Sequence, residues 1–474
     1  MEQTECIRQP FLFQDLNHRE IRGDFSGGRI TSDGGALLLR EVEIRRRIIK
    51  RLADCFLDHR DPDRIDHTVF QLLAQRIGGI ALGYEDVNDH DDLRRDPILA
   101  IFAGKADPTG DHRKRERDLG YPLAGKASIN RLEWAICGDR RDPRYHKMDC
   151  LPEQVDRLLV DLFLETYGQP PKEITLDLDA TDDPLHGNQE GRFFHGYYGY
   201  YCYLPLYIFC GDHLLCAHLR PSNIDASSGS KEELERIVNQ IRDRWPEVKI
   251  IIRADSGFAR EEIMSWCENH EVDFVLGLAK NQRLTRKIEK QLERARRTYL
   301  KTGTPSRLFR DFSYRTLNSW SRKRRVIGKA EHLPKGSNPR FIVTSLDRKD
   351  YEAKMLYEDV YCARGEMENR IKEQQLCLFA DRTSSSFFDA NQMRLWFSSF
   401  AYVLVNELRR LGLKNTELER AQCSTIRNKL FKIGALVTVT VRKVWIRFAS
   451  SCPYQRIFRS FLRNINRIPP PIRV

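Results

Sequence analysis

Apolar residues recur with a helical period through the first third of the chain, and with a period of two or as continuous runs after residue 170. Beyond Ser32, Leu37, Leu38, Val42 and Ile44 lay one stripe on a helix, and Ser32-Asp33-Gly34-Gly35 supplies a start signal. His67 to Leu82 repeats the pattern through Val69, Leu72, Leu73, Ile77 and Ile80. A polar connector covers residues 104–126, and a short helix is predicted over Ser128–Ile136. Residues 1–30, polar and glycine-containing, read as a loose arm. The first third is therefore expected to be mostly helical.

The texture changes after Pro170-Pro171. Glu173 to Thr181 alternates, with Ile174, Leu176 and Leu178 on one face and Thr175, Asp177 and Asp179 on the other. Aromatic strands are predicted over 193–202 and 204–210, then His213–Leu219. An amphipathic helix over Lys231–Trp245 precedes an apolar strand at Val248–Ala254, a helix at Arg260–His270 and a strand at Val272–Leu278. Strands followed by alternating helix and strand predict an α/β protein, a mixed sheet with helices on its faces. Residues 285–358 interrupt this order with a helix and strand-like pieces, including Arg324–Ile327 and Arg340–Thr344. Tyr361 opens a long helix, and Asn391–Leu411 is a very apolar one.

Charge adds a partner. Lys and Arg number 79 against 67 Asp and Glu, a net charge of +12, and its distribution matters more than its size. After Glu419 no acidic residue occurs, while Arg427, Lys429, Lys432, Arg442, Lys443, Arg447, Arg456, Arg459, Arg463, Arg467 and Arg473 follow. A second basic block, Arg286 to Lys329, interleaves Tyr299, Phe309, Phe312, Tyr314 and Trp320. One such run alone reads as a solvated face; two runs, one free of acids, favour a polyanion, with nucleic acid the obvious candidate. No apolar stretch is long enough to cross a bilayer, and the first residues lack the basic-then-apolar layout of a secretory signal. The cysteines show no CxxC, and Cys202, Cys210 and Cys216 sit in strand-like sequence as small core residues. A cytosolic, reduced protein with no membrane association is expected.

The carboxylates carry the chemistry. Asp179 ends the first predicted strand and Asp255 ends a central one, and strand ends facing a common crevice are where sites form in α/β proteins. Two carboxylates there can bridge hard divalent cations, and a third acid completes a two-metal site for in-line attack on phosphate. Tyr361, Arg364, Glu368 and Lys372 are spaced 3, 4 and 4, one face of a helix. Glu368 supplies the third acid, with Tyr361, Arg364 and Lys372 beside it for phosphates. Taken alone, that spacing is better explained by ordinary Arg–Glu–Lys pairing. The segment Gly83–Pro97 is rich in Asp and contains His90, so a metal site can be drawn there, but such clusters more often cap helices and form turns.

At TLDLDATDDPLHGNQEG, IIRADSGFAREE, YCARGEMENRIKE, GYEDVNDHDDLRRDP and ANQMRLWFSSFAYVLVNELRRLGL the chain resembles the DDE-type bacterial insertion-sequence transposases with a Tyr-Arg-Glu-Lys third motif. These form the superfamily of insertion sequence 4, and the insertion sequence 1380 family is the closest resemblance within it. The resemblance implies a ribonuclease-H-like core interrupted by a β-rich insertion. It assigns the acids to Asp179 in Asp-Ala-Thr, Asp255 in Ala-Asp-Ser, and Glu368. Asp177 shares a strand face with Asp179, and only the following Ala-Thr favours Asp179. The superfamily pattern places its Lys seven residues after the Glu, where this chain has Gln375; Lys372 stands four after it.

The expected organisation is a helical DNA-end-binding region over 1–150, a ribonuclease-H-like core over 170–284 and 359–412, a β-rich basic insertion over 285–358, and a basic region over 413–474. Within the first, Lys126–Glu133 is a candidate for groove contact, with helix packing as the equal alternative. The implied activity is cut-and-paste transposition of double-stranded DNA at terminal inverted repeats, with two Mg²⁺ ions (Mn²⁺ a substitute) on Asp179, Asp255 and Glu368. A homodimer or larger synaptic assembly, acting in the bacterial cytoplasm at the nucleoid, is implied with it. A metal-dependent nuclease without strand transfer and a non-catalytic DNA-binding protein are the alternatives. In the insertion, Trp320 could stack on a displaced base, with Arg322, Lys323, Arg324 and Arg325 on the DNA; packing in the insertion's own small core is the favoured reading of a lone Trp.

Overall fold

The computed structural model describes residues 10–136 and 147–469. The remaining residues lie outside it, among them the first nine of the expected arm and Arg473. The chain divides into two compact units, one of Met1–Arg46, Asp66–Ile129 and Glu407–Val474, the other of Arg47–Ile65 and Asn130–Asn406.

The second unit is built on a nine-stranded mixed sheet. Its strands are β1 (Glu173–Ala180), β2 (Leu206–Cys210), β3 (His213–His218), β4 (Lys249–Ala254), β5 (Asp273–Leu278), β6 (Ser306–Tyr314), β7 (Arg324–Leu333), β8 (Gly336–Ser337) and β9 (Arg340–Thr344). They lie in the order β3-β2-β1-β4-β5-β9-β7-β6, with β8 paired to β7. β4 runs parallel to both β1 and β5, and β2 and β9 run antiparallel to their neighbours in the row. Both faces are covered, which is why β4 reads as an unbroken apolar run rather than an alternation. Leu176, Leu178, Ile250, Ile252, Phe274 and Leu276 pack on one side with Leu234, Ile237 and Ile241 of α1 (Ser230–Arg244) and Ile263, Met264 and Cys267 of α2 (Glu261–Asn269). Ile251, Val275, Ile327 and Ile342 pack on the other with Leu356 and Tyr357. Cys202, Cys210 and Cys216 are buried.

The block expected as an insertion opens with the helix Glu289–Thr302, and its strands then extend the same sheet. β9 pairs with β5, and β7 with β9, so this block shares the main core. That excludes base stacking by Trp320 and puts it in a core, one shared with the main sheet. It is 4% exposed and packs edge-on against Tyr314, ring centres 5.7 Å apart, so its faces are closed to any base. Arg324 is buried with it and is held by Glu261 at 2.6 Å and Glu268 at 2.7 Å. Arg325 pairs with Asp311 at 2.9 Å and donates to the carbonyls of Leu346 and Tyr351. Both guanidiniums pin strands together instead of facing DNA. Arg322 and Lys323 are exposed, with Arg322 at 3.2 Å from Glu268.

Two further helices follow in sequence, α3 (Gly365–Leu378) and α4 (Phe388–Gly412); Leu395, Phe397, Phe400, Ala401 and Leu404 of α4 are fully buried.

In the first unit, the helices Ala36–Arg46 and Val69–Leu82 carry the predicted helical period, Pro97–Phe102 adds a helix that was not predicted, and Thr68 and Gln71 form a reciprocal cap at Val69. Where a loose arm was expected, Phe11–Leu16 and Arg19–Gly23 pair as an exposed hairpin. The acidic segment makes turns and caps: Asp96 accepts from Leu99 N at 2.8 Å at the start of a helix. His90 is fully buried beside Gln75 (3.1 Å), and burial pushes its pKa down to about 3. The C-terminal residues fold into this unit. A ribbon of β10 (Ala435–Val439) and β11 (Val444–Phe448) pairs with Ile30–Thr31, and α5 (Gln455–Ile465) packs on Ala36–Arg46. A Cβ at Gly412 would stand 2.0 Å from the Phe461 ring, so only glycine permits α5 that close.

Trp320→Ala should therefore act as a core truncation. Urea denaturation is expected to show a loss of about 3–5 kcal/mol; a change below about 0.5 kcal/mol, the surface range, would contradict the buried placement.

Candidate active site

The site begins with strand register. β1 and β4 pair in parallel with Asp177 opposite Arg253 and Leu178 opposite Ala254. One step further on each strand, Asp179 and Asp255 arrive side by side at the same end of the sheet. Asp255 leaves the strand as the cap of the tight turn Ser256–Phe258, its Oδ1 accepting from Gly257 N at 2.8 Å. Asp179 accepts from Ala180 N at 3.1 Å.

The third acid comes from a helical segment of uneven winding. After Ala353–Met355 the chain widens into a π-helical stretch at Leu356–Tyr361, tightens at Cys362–Arg364 and becomes regular in α3. Such irregular turns are frequent at functional sites because they re-aim side chains. Here they deliver Arg364, whose Nη1 lies 3.4 Å from Asp179 Oδ2 and whose Nη2 donates to Glu368 Oε1 at 2.5 Å. One guanidinium thus links the strand acid to the helix acid. Tyr361 approaches β5 at Gly277, where a Cβ would stand 2.7 Å from the Tyr361 hydroxyl and 2.8 Å from Ser256 N. Any larger residue at 277 would push Tyr361 away from the Asp255 turn.

Lys372 stands apart. The buried face of α3 is Met367, Ile371, Gln374 and Leu378; Arg364, Glu368 and Gln375 lie along one edge of it, while Lys372 falls further round and is exposed. Gln375 is engaged, its Nε2 donating to Asp182 O at 3.1 Å and to Asp183 Oδ1 at 3.0 Å just beyond β1. The structure therefore gathers Asp179, Asp255, Glu368, Tyr361 and Arg364, and leaves Lys372 outside the group.

Electrostatics separates the two strand acids that parity left equivalent. Asp177 is 4% exposed, and both its oxygens are taken by Arg253, at 2.5 and 2.7 Å. Asp179 has no such partner. Burial pushes its carboxyl up to about 7; Arg364 works against that shift, and the charges of Asp255 and Glu368 add to it. Burial also raises the Tyr361 hydroxyl above its ordinary value, with Arg364 opposing and Asp255 adding. Among the described residues, no group of three or more His, Cys, Asp or Glu side chains is placed to hold a metal ion as it stands. The Arg364 guanidinium occupies the position between Asp179 and Glu368 instead.

The sequence reading gave three supporting residues no role: Arg253, Gly277 and Gln375. Arg253 Nη1 also donates to Val360 O at 2.5 Å, tying the central strand to the segment that carries Tyr361 and Arg364. Its signal was a cation near the end of a largely apolar strand, which demands a partner when buried. Gly277, inside an apolar strand, signals close backbone approach. Gln375 had no signal beyond its spacing from Glu368.

The chain belongs to the transposase DDE domain group 1 family, whose sequence model matches residues 13–470. It is thus a transposase of the DDE type, an enzyme that acts on DNA. Comparison with curated proteins finds no match. No helix among the described residues is long and apolar enough to cross a membrane.

The raised Asp179 carboxyl has a thermodynamic consequence. Its pKa moves from 3.8 to about 7 on folding, so the unfolded chain releases this proton first and the folded state loses stability as pH rises from about 4 to 7. Asp179→Asn removes that loss. Guanidinium denaturation should find the variant and parent similar near pH 4, and the variant more stable at pH 8 by about 2–4 kcal/mol. A stability difference independent of pH would contradict the assignment.

Proposed function

We propose that this transposase moves its own element by cut-and-paste: it hydrolyses phosphodiesters at terminal inverted repeats and joins the freed 3′ ends to target DNA. The observation that carries this reading is the convergence of Asp179, Asp255 and Glu368, drawn from two neighbouring strand ends and one helix and linked by Arg364. Sheet order supports a ribonuclease-H-like core: β3-β2-β1 antiparallel, then β4 and β5 parallel to β1, with residues 285–358 continuing its edge. The conjunction of Tyr361, Arg364 and Glu368 supports kinship with the superfamily of insertion sequence 4, and Gln375 is the departure from its Lys.

The three acids offer the hard oxygen donors that a divalent cation takes, with Arg364 standing between two of them. Asp179, Asp255 and Glu368 would hold Mg²⁺, which supplies activation of the attacking hydroxyl and charge stabilisation at the leaving oxygen when bound. Arg364 and the Tyr361 hydroxyl, both beside the acids, orient the scissile phosphate; a guanidinium matches phosphate oxygens in a fork. Arg253 acts behind them, holding their segment to the sheet. Two DNA ends must be processed together, so the working form is a dimer or larger assembly. The unit containing Ala36–Arg46 and Val69–Leu82 supplies recognition of the repeats.

The reading is tested on duplexes cut from the DNA flanking the gene. Purified protein with Mg²⁺ should nick at the repeat boundary and join 3′ ends to a plasmid. Asp255→Asn should reduce both reactions to background while end affinity stays within about threefold, because binding draws on many phosphate contacts. Nicking without joining would leave a nuclease, and no nicking with either Mg²⁺ or Mn²⁺ would overturn the proposal.

A further inference from the structure

Residues 435–465, part of the basic run after Glu419, present a surface apart from the acids. In the β10–β11 ribbon, Thr438 faces Trp445 and Val439 faces Val444, and the pairing continues to Thr440 and Lys443 through N–H to carbonyl contact at 2.8 Å. Lys443, Trp445 and Arg447 therefore share one face, while Ala435 and Val437 on the opposite face are buried. Trp445 is 51% exposed, with the Lys443 ammonium 5.9 Å and the Arg447 guanidinium 5.7 Å from its ring centre. At the tip, Val441 is fully exposed beside Arg442.

The helix that follows is two-sided. Ile457, Phe461 and Ile465 of α5 are buried, and Arg456, Arg459 and Arg463 line its outer face, with Arg467 exposed just past its end. Ribbon and helix are joined through Phe448 and Phe458, whose rings lie 5.1 Å apart. Among the described residues, none of Arg442, Lys443, Arg456, Arg459, Arg463 and Arg467 has an ion-pair partner. The chemistry that this face matches is a regular array of phosphates bordering a groove.

We propose that the β10–β11 ribbon and α5 form a binding module for duplex DNA, with the Lys443–Trp445–Arg447 face against a groove and the α5 arginines on the adjoining phosphates. The inference rests on the reading that the chain acts on DNA and adds where it is gripped. A two-stranded ribbon fits a DNA groove, and Arg456 to Arg463 span about 10 Å of helix, enough for several phosphates. The apolar face of α5 is buried in the protein, which removes the surface that a membrane-bound amphipathic helix would need.

The duplex is either the element's own end or target DNA; both offer the same phosphates, and the test separates them. Fluorescence anisotropy with the full chain would compare an end duplex with an unrelated duplex over a range of salt. R456Q/R459Q/R463Q should weaken binding about tenfold or more near physiological salt and lower the slope of log K against log salt by about 2.7. The corresponding Lys triple should restore the slope. Trp445→Ala should weaken binding with the slope unchanged, since it removes contact and no charge. Loss on both duplexes assigns the module to backbone grip on any DNA, and loss on the end duplex alone assigns it to the ends. Unchanged affinity and slope in the Gln triple, with thermal unfolding like the parent's, would overturn the proposal while leaving the transposase reading intact. A parent that binds neither duplex at low salt would overturn that reading itself. Vesicles of anionic phosphatidylglycerol bound as tightly as DNA, and lost in the same triple, would overturn the module as a DNA site.

Discussion

The parallel register of β1 and β4 is the constraint from which the site follows. A slip of one residue would turn every side chain to the opposite face and carry Asp179 away from Asp255. Hydrophobic pattern enforces this register only weakly, because both faces of the sheet are buried and Ile250, Ile251 and Ile252 of β4 are apolar on both. The buried Asp177–Arg253 pair enforces it strongly. Its two contacts, at 2.5 and 2.7 Å, form only when these residues stand opposite each other. Losing one partner would strand the other charge in the interior, at about 3–5 kcal/mol. The same guanidinium reaches Val360 O, so register and the approach of the Tyr361–Glu368 segment are set by one residue.

The local parts of this architecture were legible because each is written in a short window. The alternation of Ile174, Leu176 and Leu178 predicted β1, and the run at 248–254 predicted β4, with boundaries within a residue or two. Spacing placed Arg364 and Glu368 on one helix edge, and the two are joined there. Partnership across long separations was not legible. Nothing near Arg340–Thr344 says that it pairs with β5, some seventy residues earlier, so the block at 285–358 looked like a separate insertion. The stacking alternative for Trp320 failed for the same reason. Its polar and basic neighbours suggested a surface, but Arg324 finds Glu261 and Glu268 on α2, and those ion pairs carry the segment inward. Lys372 and Gln375 differ by a rotation that only the buried stripe Met367, Ile371, Gln374 and Leu378 fixes.

Basic excess consequently means two different things in this chain. In the sheet block, many cations are consumed by acids within reach: Arg307 by Glu331 and Glu358, Lys329 by Glu331, Arg325 and Arg348 by Asp311. These charges hold strands together and are no longer available to a polyanion. After Glu419 the sequence offers no acid, so a cation there needs a carboxylate from elsewhere in its unit, as Lys432 finds in Asp33 at 2.7 Å. Those that find none keep their full charge at the surface. The local supply of acids, not the count of bases, therefore distinguishes a structural cation from one available to a ligand.

The same logic applied to negative charge explains the arrangement around Arg364. Burial is the main cost to the Asp179 carboxyl, which it pushes up to about 7, and the charges of Asp255 and Glu368 add to that cost. Some positive charge must stand there for the fold to hold them together. Arg364 provides it from a helix start, touching Asp179 and Glu368 but making no hydrogen bond to Asp255. Arg364 opposes the rise of the Asp179 carboxyl, while burial, the largest cause, keeps it raised. A side chain that is not deprotonated is well suited to this task, because its charge is present at every pH at which the acids ionise. On this reasoning the fold assembles its acids under the compensation that Arg364 supplies.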